Sequence, residues 1–291
     1  MNFPDITALS SHRNTGSTTM PDIQGSTDHR NLPIDQVGVR GVRYPVLVAR
    51  EGGGVTASVA EFSLSVALPA EQKGTHMSRF IELLEETNQK GAALSAKGMQ
   101  TLLQDMLRRL SASAGVIQVD MPFFMLKTAP VSGVQSMMDY KLRWVAQRVM
   151  NSVGKVEADG AVRAEDEIWC QVKVPVKSLC PCSKEISDYG AHNQRSEVTV
   201  QIQCAGREEI TAEQLIRTIE AQASCELWGL LKRPDEKYVT ERAYDNPKFV
   251  EDLVRDVAVS VRSMPGVARL TVEAENFESI HNHSAWARIK S

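Results

Sequence analysis

The order of predicted elements occurs twice along this chain, and that duplication limits the fold more than any other feature. Two β-rich segments, 37–48 and 55–68, precede two stretches with helical spacing and then further β-rich segments at 116–127 and 134–150. Strict alternation of apolar residues over 168–176 then begins the same order again. The repeat predicts an α+β fold of two ββααββ modules, each an antiparallel sheet with helices on one side.

Individual positions also match between the two halves at a constant spacing. Three residues of the first half recur 151 positions later, since Asp105, Gly115 and Val116 match Asp256, Gly266 and Val267. We therefore expect a first module at 36–153 and a second at 154–291. Residues 1–35 are polar and aperiodic, which predicts a flexible N-terminal arm. Because open sheet edges must be paired or covered, we expect oligomerisation that joins the sheets into a barrel.

Composition and charge argue against several classes of protein. The net charge of −3 lacks the basic excess of nucleic-acid-binding proteins. The sequence contains no apolar run near the roughly 20 residues that span a bilayer, and its first 20 residues do not have the pattern of a signal peptide. Five cysteines are too few, and odd in number, for a disulfide scaffold. We expect a cytoplasmic protein with neither nucleic-acid nor membrane partners.

Segment 178–196 holds the densest group of reactive side chains. Cys180, Cys182 and His192 lie among charged residues between two predicted strands, in a sequence typical of a structured loop and not of a regular element. Thiolate and imidazole suit Zn²⁺ or a similar divalent ion, but the spacing is not that of a standard zinc finger. A metal site, a redox-active dithiol and no special role all remain open. Cys170, on the apolar face of its strand, is expected in the core.

Two further charged segments have both a functional and an ordinary interpretation. Residues 73–80 predict a helix start, where free backbone N–H groups and the helix dipole favour an anion. Residues 233–252 predict a charged loop, with Asn246 and Pro247 opening the helix that follows. For both segments, charged side chains in water are the alternative.

A fourth polar segment lies close to the C-terminus. Two closing strands are expected near 267–275 and 279–289. The second strand would place His281 and His283 on one face and Glu278 on the other. Such a histidine pair suits catalysis, and polar surface or satisfied core is the alternative.

Four motifs, in the family order, resemble the B-form of GTP cyclohydrolase I. They are KGTHMSRF (73–80), CPCSKEISDYGAHNQRS (180–196), LLKRPDEKYVTERAYDNPKFVED (230–252) and ESIHNHSA (278–285). The resemblance extends from about residue 21 to the C-terminus. It implies the bimodular tunnelling fold and a homotetramer with active sites at subunit interfaces. The implied reaction converts GTP and water to formate and 7,8-dihydroneopterin triphosphate, the first step towards tetrahydrofolate and, in bacteria, queuosine.

The resemblance also implies roles for residues, most of them in the second module. One divalent ion (Zn, Mn or Fe) per active site would be bound by Cys180, His192 and Glu236. Cys180 would also count as catalytic, together with the proton-transferring or substrate-orienting Glu278, His281 and His283. The guanine edge would be bound by Glu251, and the triphosphate by Thr75, His76, Ser78, Arg79, Lys184 and Arg195. Oxidation could join Cys182 to Cys180 in a disulfide and so remove a ligand.

These residue types suit the implied chemistry. A bound divalent ion lowers the pKa of water from about 15.7 towards about 7, which addition at C8 of GTP requires. Histidine can move protons near neutral pH, and a carboxylate can accept two N–H bonds that guanine offers and adenine does not. Two alternatives remain: an archaeal-type GTP cyclohydrolase that makes a cyclic phosphate, and a thiol-based metal or redox sensor without turnover.

Overall fold

The computed structural model describes residues 23–148, 165–205 and 210–291, in which nine strands form one sheet. The strands are β1 (Ile34–Ala49), β2 (Val55–Leu68), β3 (Ala93–Leu94), β4 (Gly115–Thr128), β5 (Gln135–Arg148), β6 (Asp166–Leu179), β7 (Asn193–Cys204), β8 (Val267–Asn276) and β9 (Ala285–Lys290). The helices are α1 (Ser78–Gln89), α2 (Ala96–Arg109), α3 (Pro181–Ile186), α4 (Ala212–Glu220), α5 (Arg233–Asp245) and α6 (Val250–Arg262). The order across the sheet is β3-β1-β2-β4-β5-β6-β7-β8-β9. Neighbours are antiparallel, except that β3 runs parallel to β1.

The predicted duplication is confirmed in the order of elements. Strands β1 and β2, helices α1 and α2, and strands β4 and β5 make the first ββααββ unit; β6, β7, α4, α6, β8 and β9 make the second. Pairing of β5 with β6 joins the units into one sheet. The predicted boundary at 153/154 and residues 1–22 of the predicted arm lie outside the described residues. Within the rest of that arm, 24–28 exchange backbone hydrogen bonds with 71–74.

One face of the sheet and the helices that cover it form the core. The alternating residues of β6, including Cys170, are buried as predicted. Opposite them, α2 and α6 bury apolar stripes that include Leu103, Met106, Leu253 and Val257. Burial of each such side chain stabilises the fold by about 1.5–3 kcal/mol. In the described part of the chain, no helix is long and apolar enough to cross a membrane.

Within the described residues, four hairpin connections lie at the same end of the sheet, which we call the hairpin end. They are 50–54, 129–134, 180–192 and 277–284, because β1, β4, β6 and β8 run in one direction and their partners return in the other. Helix α1 follows the opposite end of β2, whereas α6 begins beside the end of β6, where the Lys248 N–H donates to the Leu179 carbonyl at 3.1 Å. The hairpin end therefore collects chain segments that are distant in sequence.

Two local predictions in segment 233–252 are wrong. The expected charged loop is helix α5, because Pro234 fits its first turn and its inner face buries Val239 and Ala243. Asn246 ends α5 and does not open the next helix, because its side-chain amide donates to the Ala223 carbonyl at 2.9 Å. Helix α6 begins three residues beyond Pro247, at Val250.

Candidate active site

Cys180 and His192 lie directly opposite each other where the β6–β7 hairpin opens. The last paired residues of the two strands are Leu179 and Asn193, and the Cys180 N–H donates to the His192 carbonyl at 3.2 Å. Both positions continue the alternation that buries Ser178 and Gln194, so both side chains leave the sheet on its helix-covered side. Opposite residues of an antiparallel pair have Cβ atoms about 5 Å apart, a spacing at which one ion can bind both side chains.

The ring of His192 is held in an orientation that suits a metal ligand. Its Nδ1 atom lies 3.1 Å from Gln194 Oε1 and 3.2 Å from Ser279 Oγ. Because an amide oxygen can only accept, this contact corresponds to the tautomer that has the proton on Nδ1 and the lone pair on Nε2. Metal-binding histidines are commonly fixed in this way by a hydrogen bond at the other ring nitrogen.

Segment 178–196 is partly helical, which corrects the prediction of a loop without regular structure. After Cys180 the chain enters α3, a short helix with Pro181 in its first turn. Ser183 Oγ donates to the Cys180 carbonyl at 3.0 Å and accepts the His192 N–H at 3.1 Å. Ser183 therefore connects the two predicted ligands. Cys180 is half-buried, Cys182 is exposed on α3, and both are free thiols.

Glu236 is exposed in the first turn of α5. The other end of that helix contacts α3, where Lys184 Nζ donates to the Tyr244 carbonyl at 2.5 Å and lies 4.2 Å from the centre of the Tyr244 ring. A cleft of about 740 Å³ separates 188–191 from α5. Among the described residues, no three His, Cys, Asp or Glu side chains are grouped closely enough to hold a metal ion. Cys180 and His192 are thus paired, and Glu236 does not join them in this conformation.

Glu251 lies near the hairpin end, because it belongs to the first turn of α6. The bond from Lys248 to Leu179 fixes that turn beside the residue preceding Cys180. Glu251 is exposed, whereas its neighbour Asp252 accepts the Phe249 N–H at 3.2 Å and so caps the helix. The carboxylate of Glu251 is therefore available to a ligand.

His281 and His283 lie in the connection between β8 and β9 and not on a strand, so the prediction of a strand over 279–289 is wrong in its first half. Pairing of β8 with β9 begins at Asn276 and Ala285, which leaves 277–284 as a loop. Its turn stacks the two exposed imidazole rings, with centres 5.1 Å apart. Glu278 is half-buried in the same loop, and Ser279 connects the loop to His192.

The six residues expected at the triphosphate divide between the two ends of the sheet. Lys184 and Arg195 belong to the hairpin end. The others follow the opposite end of β2 and lie around the start of α1: Thr75, His76, Ser78 and Arg79. Thr75 is buried, and Arg79 Nη1 donates to the Arg109 carbonyl at 3.3 Å. A single protomer therefore does not bring the two sets together.

Sequence reasoning missed Asp235, the residue before Glu236. Its side chain is fully buried and accepts four hydrogen bonds, from the Val131, Ser132 and Lys232 N–H groups and from Ser132 Oγ. Burial by itself raises the pKa of this carboxyl, but the hydrogen bonds from Ser132, Lys232 and Val131 outweigh it and hold the pKa well below its usual value. The available signal was its position three residues after Lys232, where an acidic residue caps a helix.

Comparison with known proteins gives consistent matches along almost the whole chain. A protein-family model described as type I GTP cyclohydrolase folE2 matches residues 20–287. A GTP cyclohydrolase FolE2 of Bordetella pertussis is 55% identical over 271 residues, which cover 93% of this chain and 96% of the relative. The corresponding protein of Paraburkholderia xenovorans is 54% identical over 271 residues, covering 93% and 94%.

Solved structures resemble the fold at much lower identity. A urate oxidase of Bacillus sp. TB-90 aligns with a TM-score of 0.52 and 8% identity, covering 89% of this chain and 99% of that one. A uricase of Bacillus fastidious aligns with a TM-score of 0.54 and 8% identity, covering 89% and 92%. These are tunnelling-fold proteins, so the likeness confirms the predicted bimodular tunnelling fold. At this identity it bears on the fold alone.

Proposed function

Because this chain belongs to the FolE2 family of type I GTP cyclohydrolases, which catalyse the first step of folate biosynthesis, we propose that Cys180 and His192 form the centre that acts on GTP. The observation that carries this proposal is their cross-strand pairing, with the Nδ1 atom of His192 held by Gln194. A thiol and an imidazole nitrogen then face the same space beside the starts of α3 and α6. Relatives named as enzymes match nearly the full chain, which favours an enzyme over the alternative of a sensor.

The family implies a divalent metal ion, and the paired donors fit one. A thiolate and an imidazole bind Zn²⁺, Mn²⁺ or Fe²⁺, so the donor set does not distinguish between these ions. The ion supplies the lowered pKa of water that addition at C8 of GTP requires. Glu236, exposed in the first turn of α5, is the proposed third ligand, and its side chain would turn towards the pair when the ion binds.

The loop 277–284 is proposed to move protons during ring opening. Water addition and loss of formate require proton transfer to ring nitrogens and to the leaving amine. His281 and His283 are stacked and exposed in this loop, and imidazole can both donate and accept protons near neutral pH. Ser279 fixes the loop against His192, and Glu278 is proposed to orient the substrate or one of the imidazoles.

Glu251 is proposed to select guanine. A carboxylate can accept hydrogen bonds from N1–H and from the 2-amino group of guanine, whereas adenine offers neither in that arrangement. The exposed carboxylate at the start of α6, close to the end of β6, suits this role. Lys184 and Arg195 at the same end of the sheet are proposed to bind the triphosphate.

The complete site is proposed to form between protomers of a homotetramer. In the described chain, the outer edge of β9 and residues 34–46 of β1 have no second neighbouring strand, which suits closure of the sheets into a barrel. Large apolar side chains are exposed at the hairpin end, including Ile186, Tyr189 and Ile280. A partner would supply the cations and hydroxyls of its segment 75–79.

Substitution of Cys180 tests this proposal directly. We expect Cys180→Ala to abolish turnover and to weaken metal binding, because the soft ligand is lost. Turnover is measured by formate release and pterin fluorescence, and metal affinity is measured by competition with a chelator. The mass of the product distinguishes a dihydroneopterin triphosphate from a cyclic phosphate. Cys182→Ala, two residues away on the exposed side of α3, is the control and should retain both properties. Near-normal formate release by Cys180→Ala would refute the proposed ligand.

A further inference from the structure

Helix α5 is fixed at both ends by parts of the molecule that it does not adjoin in sequence. At its start, Asp235 bonds the turn between β4 and β5, about 100 residues earlier, with acceptor distances of 2.6–2.9 Å. The same carboxylate accepts the Lys232 N–H at 2.8 Å. At its end, the Tyr244 carbonyl accepts from Lys184 in α3. The helix therefore spans the distance from the first module to the Cys180 segment.

Asp235 and Glu236 point in different directions because successive residues of a helix are rotated by about 100°. Asp235 is 0% exposed, whereas Glu236 is exposed. All of the hydrogen bonds that Asp235 accepts come from backbone N–H groups and from one serine hydroxyl. The hydrogen bonds of the Asp235 carboxylate thus fix the backbone that carries Glu236.

We propose that Asp235 is a positioning residue, which, through its bonds to Val131 and Ser132 of the β4–β5 turn, fixes the backbone position from which the Glu236 carboxylate reaches the metal ion bound by Cys180 and His192. This inference rests on the proposed function, in which Glu236 binds the metal. A metal ligand must be held within about 0.5 Å of its productive position by the residues behind it. The first module would thus contribute to the metal site of the second without touching the ion.

The first test is Asp235→Asn. Asparagine keeps the size of the side chain, but its NH₂ group cannot accept from the N–H and O–H donors that surround the native carboxylate. We expect the metal dissociation constant, measured by chelator competition on the metal-free protein, to rise about 10- to 100-fold. We expect saturating metal to restore much of kcat while the KM for GTP changes little.

A matched control separates positioning from general loss of stability. The carboxylate of Asp166 is partly buried and is also bonded across the two modules, to Arg148 and Gln104, but it lies at the end of the sheet opposite to the hairpin end. Asp166→Asn should lower thermal stability and leave the metal dissociation constant unchanged. If it weakens metal binding as much as Asp235→Asn does, Asp235 has only a structural role.

A double-mutant cycle with Glu236→Gln distinguishes the inference from the function on which it rests. If Asp235 acts through Glu236, Asp235→Asn should not weaken metal binding further in a Glu236→Gln background, although its cost in stability should persist. Additive losses of affinity would overturn the inference. Unchanged affinity in Glu236→Gln alone would instead overturn the proposed ligand.

Ser132→Ala provides a milder variant in case Asp235→Asn folds poorly. It removes one of the four bonds to the carboxylate and lies in the first module, away from α5 in sequence. We expect a smaller weakening of metal binding in the same direction. Metal affinity equal to that of the wild type in both Ser132→Ala and folded Asp235→Asn would refute the positioning role.

Discussion

At the residue scale, the proposed role of Glu251 can be separated from that of its neighbour. Glu251→Gln keeps the shape but replaces an acceptor oxygen by a donor facing the donors of guanine. Hydrogen bonds to a charged group contribute about 1.5–3 kcal/mol each, so we expect the KM for GTP to rise on the order of 100-fold. Metal content should not change. Steady-state kinetics with GTP and metal analysis of the purified variant check both expectations.

Asp252→Asn is the control for Glu251→Gln. Asp252 lies in the same helical turn but caps α6 through the Phe249 N–H, so its substitution should cost about 1 kcal/mol of stability and leave the KM for GTP unchanged. Loss of metal from Glu251→Gln would show that Glu251 belongs to the metal site and not to the guanine site.

Single residues differ in how far the sequence predicts their environment. Cys170 was predicted in the core because strand alternation depends only on the local pattern, and it is buried. The pairing of Cys180 with His192 was expected only through a family resemblance, since their spacing alone left three interpretations open. Asp235 was missed because its partners Val131 and Ser132 lie about 100 residues away. No local pattern reports such a contact.

At the scale of elements, a partly buried ion pair joins β5 to β6. Arg148 donates to Asp166 at 2.6 and 3.0 Å, and Gln104 from α2 donates at 3.2 Å. Burial alone raises the pKa of Asp166, but these hydrogen bonds and the charge of Arg148 outweigh it and lower the pKa. The ionised form therefore stabilises the fold at neutral pH, and that contribution is lost as the pH falls from about 4 through the lowered folded-state value.

We expect Asp166→Asn to lower the free energy of unfolding by about 2 kcal/mol at pH 7. The difference from the wild type should narrow as the pH falls below about 4, because the contribution of the ionised carboxylate to folding is then progressively lost. Urea unfolding of both proteins at several pH values measures this difference in the free energy of unfolding. Asp120→Asn, which removes a half-exposed cross-strand pair with Arg143, should cost less than about 1 kcal/mol. A pH-independent difference for Asp166→Asn would contradict the assignment.

Elements that form by local pattern were predicted well, and those that depend on distant contacts were not. The alternation in β6 and the apolar stripe of α6 identify one buried face each, and both elements exist. The sequence predicts a loop at α5, because carboxylates stand beside cations there and Pro234 and Asn246-Pro247 interrupt the segment. The helix is held by a small separate core of Cys225, Val239 and Ala243 and by Asp235, which only the folded chain assembles.

At the scale of the whole molecule, a row of charged side chains crosses the face of the sheet that has no helices. Arg43, Glu61, Asp120 and Arg143 lie opposite one another in register across four strands, and cross-strand ion pairs join the first two and the last two. A broad groove of about 840 Å³ lies over this row. Such a charged row does not pack as a hydrophobic core, which suits the wall of a water-filled barrel, although exposed apolar residues such as Val59 and Leu126 lie on the same face. The barrel stays a proposal, because it requires further copies of the chain.

Mixed oligomers test whether the active site is shared between protomers. Cys180→Ala removes the proposed metal centre in the second module, and Arg79→Met removes a proposed triphosphate contact at the opposite end of the sheet in the first. If each site takes these groups from different protomers, an oligomer containing both variants retains some intact sites. With random pairing, about one quarter of the sites should be complete. We therefore expect mixed oligomers, purified through two different tags, to have a turnover approaching one quarter of the wild-type value, whereas each variant alone has little.

The matched control combines Cys180→Ala with His192→Ala. These two residues face each other across one hairpin, so a protomer with either substitution lacks an intact pair, and mixing cannot restore one. Turnover should therefore return only in the first mixture. Recovery in both mixtures would show that the tags or the exchange procedure, and not site sharing, cause the effect. If both variants are inactive alone and neither mixture recovers turnover, Arg79 and Cys180 act in a site that a single protomer completes, which would refute the shared site.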